Sequence, residues 1–411
     1  MLFAALYFSE GAPIGYVWWA LPVKLKSIGL GVEQITAITA PLILPWAFKF
    51  LWAPLVDTFR GKHFGLRGWI ITAQLLMGLA LLPLAFLPFE PNLTLITQLL
   101  MLHAILAATQ DVAVDALCIS TVPESERGKI NGLMQVGYIG ARAIFGGAIL
   151  IVEQWMGESA VIIALVVAIW SSTLLTLFAQ ESPTARDGNT IEKLKSFGRS
   201  FVAMCRRRAT LLGLGFALVG GAAFESVGAV AGPLLKENGH ESGEVGLFYL
   251  CFALPGALLG GFVADRVGRR LGVLSLLILI AINAVVIGLA LRIPIDAGRA
   301  HIVVGTLGVL YILIGAFTAA SYAMFMDLTD PRLGGTQFST YMGATNLCEA
   351  WSAWSVGKLI GGYGRMPGLG YTWAFAIMAG MSLLAIPLIA ALRFGAGGNQ
   401  KDAEESHSTR G

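Results

Sequence analysis

Charge is scarce in this sequence: 13% of its 411 residues are Asp, Glu, Lys or Arg, roughly half of what a soluble domain carries. With 56% hydrophobic residues and a mean hydropathy of +0.73, that scarcity points to a lipid-embedded chain and excludes an ordinary soluble domain. Cysteine is sparse too. Cys118, Cys205, Cys251 and Cys348 lie far apart with no CxxC, which excludes a disulfide framework or thiolate metal site and leaves them as small apolar fillers. His63, His103, His240, His301 and His407 form no HExxH, and no GxSxG is present, so an intramembrane enzyme lacks its parts. No GxxxxGK[ST] loop exists for an ATP-driven pump, and no cofactor is expected. A net charge of +3 is too small to argue for nucleic acid.

What the chain does have is long apolar runs. They fall at about 2–24, 35–57, 69–88, 94–117, 130–153, 158–179, 210–234, 244–264, 271–292, 301–324, 336–360 and 371–393. A helix needs roughly 20 residues to cross a bilayer, so these predict twelve spans. The first run ends in no small-residue cleavage site and reads as a span instead of a removed signal. Because it begins almost at Met1, a short leader upstream is expected. Of the 28 Lys and Arg residues, Lys49 and Arg142 lie inside spans. Placing both termini in the cytoplasm leaves seven (Lys24, Lys26, Lys236, Arg292, Arg299, Lys358, Arg365) outside and the other 19 inside, as the positive-inside rule requires.

The longest polar stretch divides six spans from six. The expected organisation is a bundle over 1–179, a cytoplasmic linker over 180–209, a second bundle over 210–393 and a disordered tail over 394–411. Arg206-Arg207-Arg208 and the polarity of the linker suit an amphipathic helix on the anionic inner leaflet. The halves also echo each other. Leu25-Lys26 with Gly29 after Pro22 matches Leu235-Lys236 with Gly239 after Pro233, and the second span of each half ends at Asp57 or Asp265. Two six-span repeats of this kind resemble the major facilitator superfamily, an all-α fold of two pseudo-symmetric six-helix bundles. Gly261-Phe262-Val263-Ala264-Asp265-Arg266-Val267-Gly268-Arg269-Arg270 resembles that superfamily's signature loop, G-x-x-x-D-R-x-G-R-R/K. A glycine for close helix approach, a carboxylate to cap or pair, and arginines for acidic partners suit a gate that forms in one state and breaks in another. Asp57, Asp115, Arg127, Gly261, Asp265, Arg266 and Arg269 are the expected gate residues.

Further motifs narrow the resemblance. Lys49-Phe50-Leu51-Trp52-Ala53-Pro54-Leu55-Val56-Asp57, Gln110-Asp111-Val112-Ala113-Val114-Asp115-Ala116 and Glu126-Arg127-Gly128 resemble the branch that holds AmpG-type permeases, acetyl-coenzyme A transporters and RhtX/FptX-type siderophore importers. Ala20-Leu21-Pro22-Val23 and Leu44-Pro45-Trp46 resemble the siderophore type more closely. The resemblance implies proton-coupled import of a bulky polar solute; composition and spacing imply neither cargo nor direction.

Ionisable side chains at membrane depth are functional candidates because they are costly there. Arg142, near the middle of span five, is the first choice for a substrate contact: a guanidinium grips a carboxylate or phosphate bidentately. The plainer alternative is a structural ion pair with Glu10 or Asp111. Glu349, Asn346 one turn before it, Tyr7 and Trp351 complete the expected binding set. Glu10, Asp111, Glu225 and Glu349 are the candidates to carry protons. Asp115 is expected to pair with Arg127 or Lys129, and Lys49, near Asp57, to be structural. Trp18 and Trp19 read as interfacial belt, while Trp351 and Trp354 could stack on a ring or sugar. The pairs Gly11/Gly15, Gly128/Gly132, Gly228/Gly232, Gly256/Gly260 and Gly357/Gly361 suggest close helix contacts.

The expectation is therefore a monomeric multi-pass carrier in a bacterial inner membrane, in contact with lipid, a small solute and protons. Its cargo would be muropeptide-like or siderophore-like. Proton-driven efflux of drug-like compounds and a transport-dead sensor on the same scaffold are the alternatives.

Overall fold

A chain in hydrocarbon must satisfy its own backbone, and helices do so within each segment. The computed structural model describes residues 1–58, 64–178, 190–258, 269–295, 297–329 and 334–392, and it is helical nearly throughout. The spans are one (2–27), two (32–58), three (Leu66–Ala85), four (Phe89–Thr121), five (124–156) and six (Glu158–Leu177). After a helix at Thr190–Cys205 come seven (Arg208–Glu237), eight (242–258), nine (Arg269–Ala290), ten (Ala297–Leu328), eleven (Gly334–Gly361) and twelve (Gly370–Ala391). Among the described residues nine of these are long and apolar enough to cross by length and composition. Spans one, eight and eleven complete the twelve. Span one is interrupted by a π-helical turn, and span eleven carries Gln337, Thr340, Asn346, Glu349 and Ser352.

Spans one to six pack into one bundle and seven to twelve into another, and the two meet where span one touches seven, two touches eleven and five touches eight. Met1, the helix Thr190–Cys205 and the start of span seven share one end of the molecule, here the linker end. The opposite, loop end carries the one–two and seven–eight turns, with Gly29 and Gly239 at φ +90 and +92. It also carries a two-residue antiparallel ladder in which Gly362 faces Pro367 and Tyr363 faces Met366. Thr190–Cys205 packs on spans two and eleven, with Phe201 stacked on Phe50.

Three π-helical turns converge where the bundles meet: Tyr16–Ala20 in span one, Ile144–Ala148 in span five and Tyr249–Ala253 in span eight. Such turns insert an extra residue and re-aim the side chains that follow. Small residues let the backbones approach here. A Cβ on Gly15 would collide with the Arg142 backbone and Gly146, and one on Gly11 with the Tyr138 backbone. Gly357 and Gly361 of span eleven press on Thr36 and Glu33 of span two. Gly132 and Gly228, by contrast, have open space, so they are not the close contacts their spacing suggested. Because backbone cannot yield as a flexible side chain can, Gly15→Val is expected to push spans one and five apart. A stability loss of about 1–3 kcal/mol would be read as an earlier thermal unfolding transition in detergent.

Several expectations fall beyond the described residues. Gly261, Asp265, Arg266, residues 180–189 of the linker and the 394–411 tail lie outside them. Asp57, Arg127 and Arg269 are in helices, but their side chains lie outside the described set.

Candidate functional site

Two clusters of polar side chains flank the bundle interface. The first belongs to the N-terminal bundle. Lys49 of span two forms an ion pair with Asp111 of span four and lies 3.9 Å from Asp115, while Tyr7 Oη of span one donates to Asp115 at 2.7 Å. Asp111 and Asp115 share a helix face four residues apart, so one ammonium serves both. This replaces the expected partners of Asp115, Arg127 and Lys129, and assigns Lys49 a role that its nearness to Asp57 in sequence did not suggest. Glu10 is buried one turn from Tyr7 and accepts from Trp46 Nε1 at 3.2 Å. Beneath it, Ser9, Gln74, Gln110 and Ser172 form a buried hydrogen-bonded network across spans one, three, four and six.

The second cluster is a pocket of ≈ 490 Å³ of empty space in the C-terminal bundle. Spans seven, ten and eleven line it. Phe216, Phe224, Phe317 and Phe325 make an apolar wall, opposite the polar groups of Glu225, Ser321, Asn346 and Glu349. These lining residues sit midway along their spans and toward the linker end. Glu225, Asn346 and Glu349, selected separately from the sequence, thus share one cavity.

Arg142 stands between the clusters. Its guanidinium lies over Trp19, 4.6 Å from the ring centroid, and the other neighbour of that indole is Tyr249 of span eight, stacked at 4.7 Å and 4°. Among the described residues Arg142 makes no ion pair, and its Nε is buried without a hydrogen-bond partner. The structural pairing with Glu10 or Asp111 is therefore absent, Asp111 being held by Lys49. Arg142 does lie within electrostatic reach of Glu225 and Glu349 across the interface.

Trp18 and Trp19 are not belt residues. Span one continues to Ser27, which sets Trp18 roughly 13 Å inside its loop end at ~1.5 Å per residue. Trp18 Nε1 crosses the bundle interface to Glu349 Oε1 at 2.5 Å, and its ring meets Trp46 edge-on. Trp351 is not a lining residue; its Nε1 donates to the Leu218 carbonyl at 2.8 Å. Trp354 packs near Tyr363 at the loop end, far from the pocket. Sequence reasoning missed Trp18 and Trp46 as carboxylate donors. The stripe Tyr7, Glu10, Ile14, Trp18 along one side of span one was the available signal for the first.

The loop end is tied shut across the bundles. Lys26 pairs with Glu237 at 2.5 Å, and Tyr371 Oη donates to the same carboxylate at 2.8 Å. Lys24, two residues earlier, turns instead to Glu153 and Glu158 within its own bundle.

Comparison with known proteins agrees with this architecture. The sequence pattern of the Major Facilitator Superfamily matches residues 3–230, more than half of the chain. The chain belongs to that superfamily. A D-xylose–proton symporter superposes with a TM-score of 0.74 over 96% of this chain and 98% of its own, at 12% identity, which concerns the fold alone. The transporter AmpG 4 of Rickettsia conorii is 26% identical over 85% of this chain and 87% of its own. The anhydromuropeptide permease of Escherichia coli K12 is 30% identical over 54% of this chain and 46% of the permease. This superfamily member is thus a multi-pass membrane transporter similar to AmpG-type permeases, and its matched relatives are transporters, not enzymes.

Proposed function

We propose that the protein imports a medium-sized polar or anionic solute, muropeptide-like or siderophore-like, by proton-coupled alternating access across a bacterial inner membrane. The observation that carries this reading is Arg142: a cation in the bundle interface with a buried Nε and no protein partner, facing the pocket carboxylates Glu225 and Glu349. An unpaired charge at that depth is costly, and a ligand anion would relieve the cost. In this reading Arg142 receives the anionic group, and Asn346 and Glu349 receive polar groups of the solute. Glu225 and Glu349 carry protons on the pocket side, Glu10 and Asp111 in the N-terminal bundle. The name of the Escherichia coli relative supports a muropeptide cargo. Tyr7 and Trp351 drop out as ligands because their polar atoms already serve Asp115 and Leu218.

The Lys and Arg bias places the linker end in the cytoplasm. On that orientation the pocket lies on the cytoplasmic side, the Lys26–Glu237 pair closes the external side, and the Gly261–Arg270 loop with Asp57, Asp115 and Arg127 supplies the internal gate. The phenylalanine wall favours a second reading, efflux of drug-like compounds. Uptake of labelled anhydromuropeptide and of ferri-siderophore into energised vesicles, with and without a protonophore, separates the two. Protonophore-sensitive uptake of one ligand is the expected result. Correctly inserted protein that takes up neither would refute import and leave efflux.

A further inference from the structure

Most polar contacts around the pocket stay within one bundle. Trp351 serves span seven, Lys49 serves span four, and Trp46 serves span one. The Trp18–Glu349 hydrogen bond does not: its donor belongs to the N-terminal bundle, and its acceptor lines the pocket of the other. It also sits on the side of the pocket facing the closed loop end, so that end cannot part along spans one and eleven while the bond holds.

We infer that Trp18 is a positioning residue of the transport cycle, tying opening of the loop end to the charge carried by Glu349. An indole N–H bound to a carboxylate is roughly twice as strong as the same bond to a neutral oxygen. While Glu349 is charged and unoccupied, the tie holds the bundles together. When a proton or a ligand cation neutralises Glu349, the acceptor weakens and the loop end is released. The empty, deprotonated carrier is thereby kept from opening. The groups facing Glu349 are Arg142 and Tyr138 from span five, Glu225 from span seven, Tyr322 from span ten and Cys348 beside it on span eleven. None of these replaces Trp18 as a hydrogen-bond donor across spans one and eleven. The inference rests on the alternating-access reading above, but not on the identity of the cargo.

The test measures a distance and needs no substrate. The full chain is placed in lipid nanodiscs with spin labels at Ser27→Cys and Arg365→Cys, exposed loop-end positions on opposite bundles. Cys205 and Cys251, the cysteines that are not buried, are replaced by serine. Pulsed distance measurements then compare the parent with Trp18→Phe, Glu349→Gln and the double variant. Trp18→Phe is expected to raise the ratio of open to closed loop ends roughly tenfold, and Glu349→Gln to raise it less. The double variant should match Trp18→Phe, because two changes that remove one bond are not additive. A Trp18→Phe distribution identical to the parent, or effects of the two substitutions that multiply, would overturn the inference. Failure of the uptake assay alone would refute the cargo and leave this result standing.

Discussion

Arg142→Ala is expected to abolish most ligand-dependent uptake while leaving the folded carrier intact. A charged hydrogen bond to a ligand is worth about 1.5–3 kcal/mol, so kcat/KM should fall roughly 10- to 100-fold. Stability should change little. The guanidinium has no carboxylate partner to strand, and the substitution removes only its stacking on Trp19, worth about 0.5–1 kcal/mol. Arg142→Lys should restore only part of the uptake, since an ammonium cannot grip an anion as a planar fork does. Uptake kinetics and thermal unfolding of the same preparations check both halves of the statement. A large fall in unfolding temperature would show that Arg142 is structural and remove the main support for an anionic cargo.

Lys49→Met should behave in the opposite way. Its ammonium is largely buried against Asp111, which is 7% exposed at the side chain, and it also neighbours Asp115. Removing it leaves two carboxylates on one helix face without their cation. Stranding a buried partner costs about 3–5 kcal/mol, so unfolding in detergent should move to clearly lower temperature. Asp111→Asn in the same chain should recover part of the loss by removing the stranded charge. If Lys49→Met unfolds like the parent, the pair contributes nothing net, and Lys49 would have to be reconsidered as a moving part of the cycle.

These two basic residues looked alike in sequence: each is a lone cation inside an apolar run. Length and hydropathy were enough to read the span count, the division into six and six, and the all-helical class. Each of those follows from local composition against a fixed bilayer thickness. Glu225, Asn346 and Glu349 were legible as site residues for the same reason, since a polar side chain at depth stands out against its own helix. Their meeting in one pocket was not legible, because it depends on how spans seven, ten and eleven pack.

Partners were the part that only the tertiary structure decided. Lys49 chose Asp111 over Asp57, Asp115 chose Tyr7 and Lys49 over the next loop, and Arg142 was left without a carboxylate. Trp18 and Trp19 moved from a membrane belt to the bundle interface because span one runs on to Ser27 and a π-helical turn re-aims them. Sequence alone determined which side chains must be accounted for inside the membrane, since burial cost is set residue by residue. Which of them are satisfied by the protein and which are left for a ligand is set by contacts between distant helices, and only the fold specifies those.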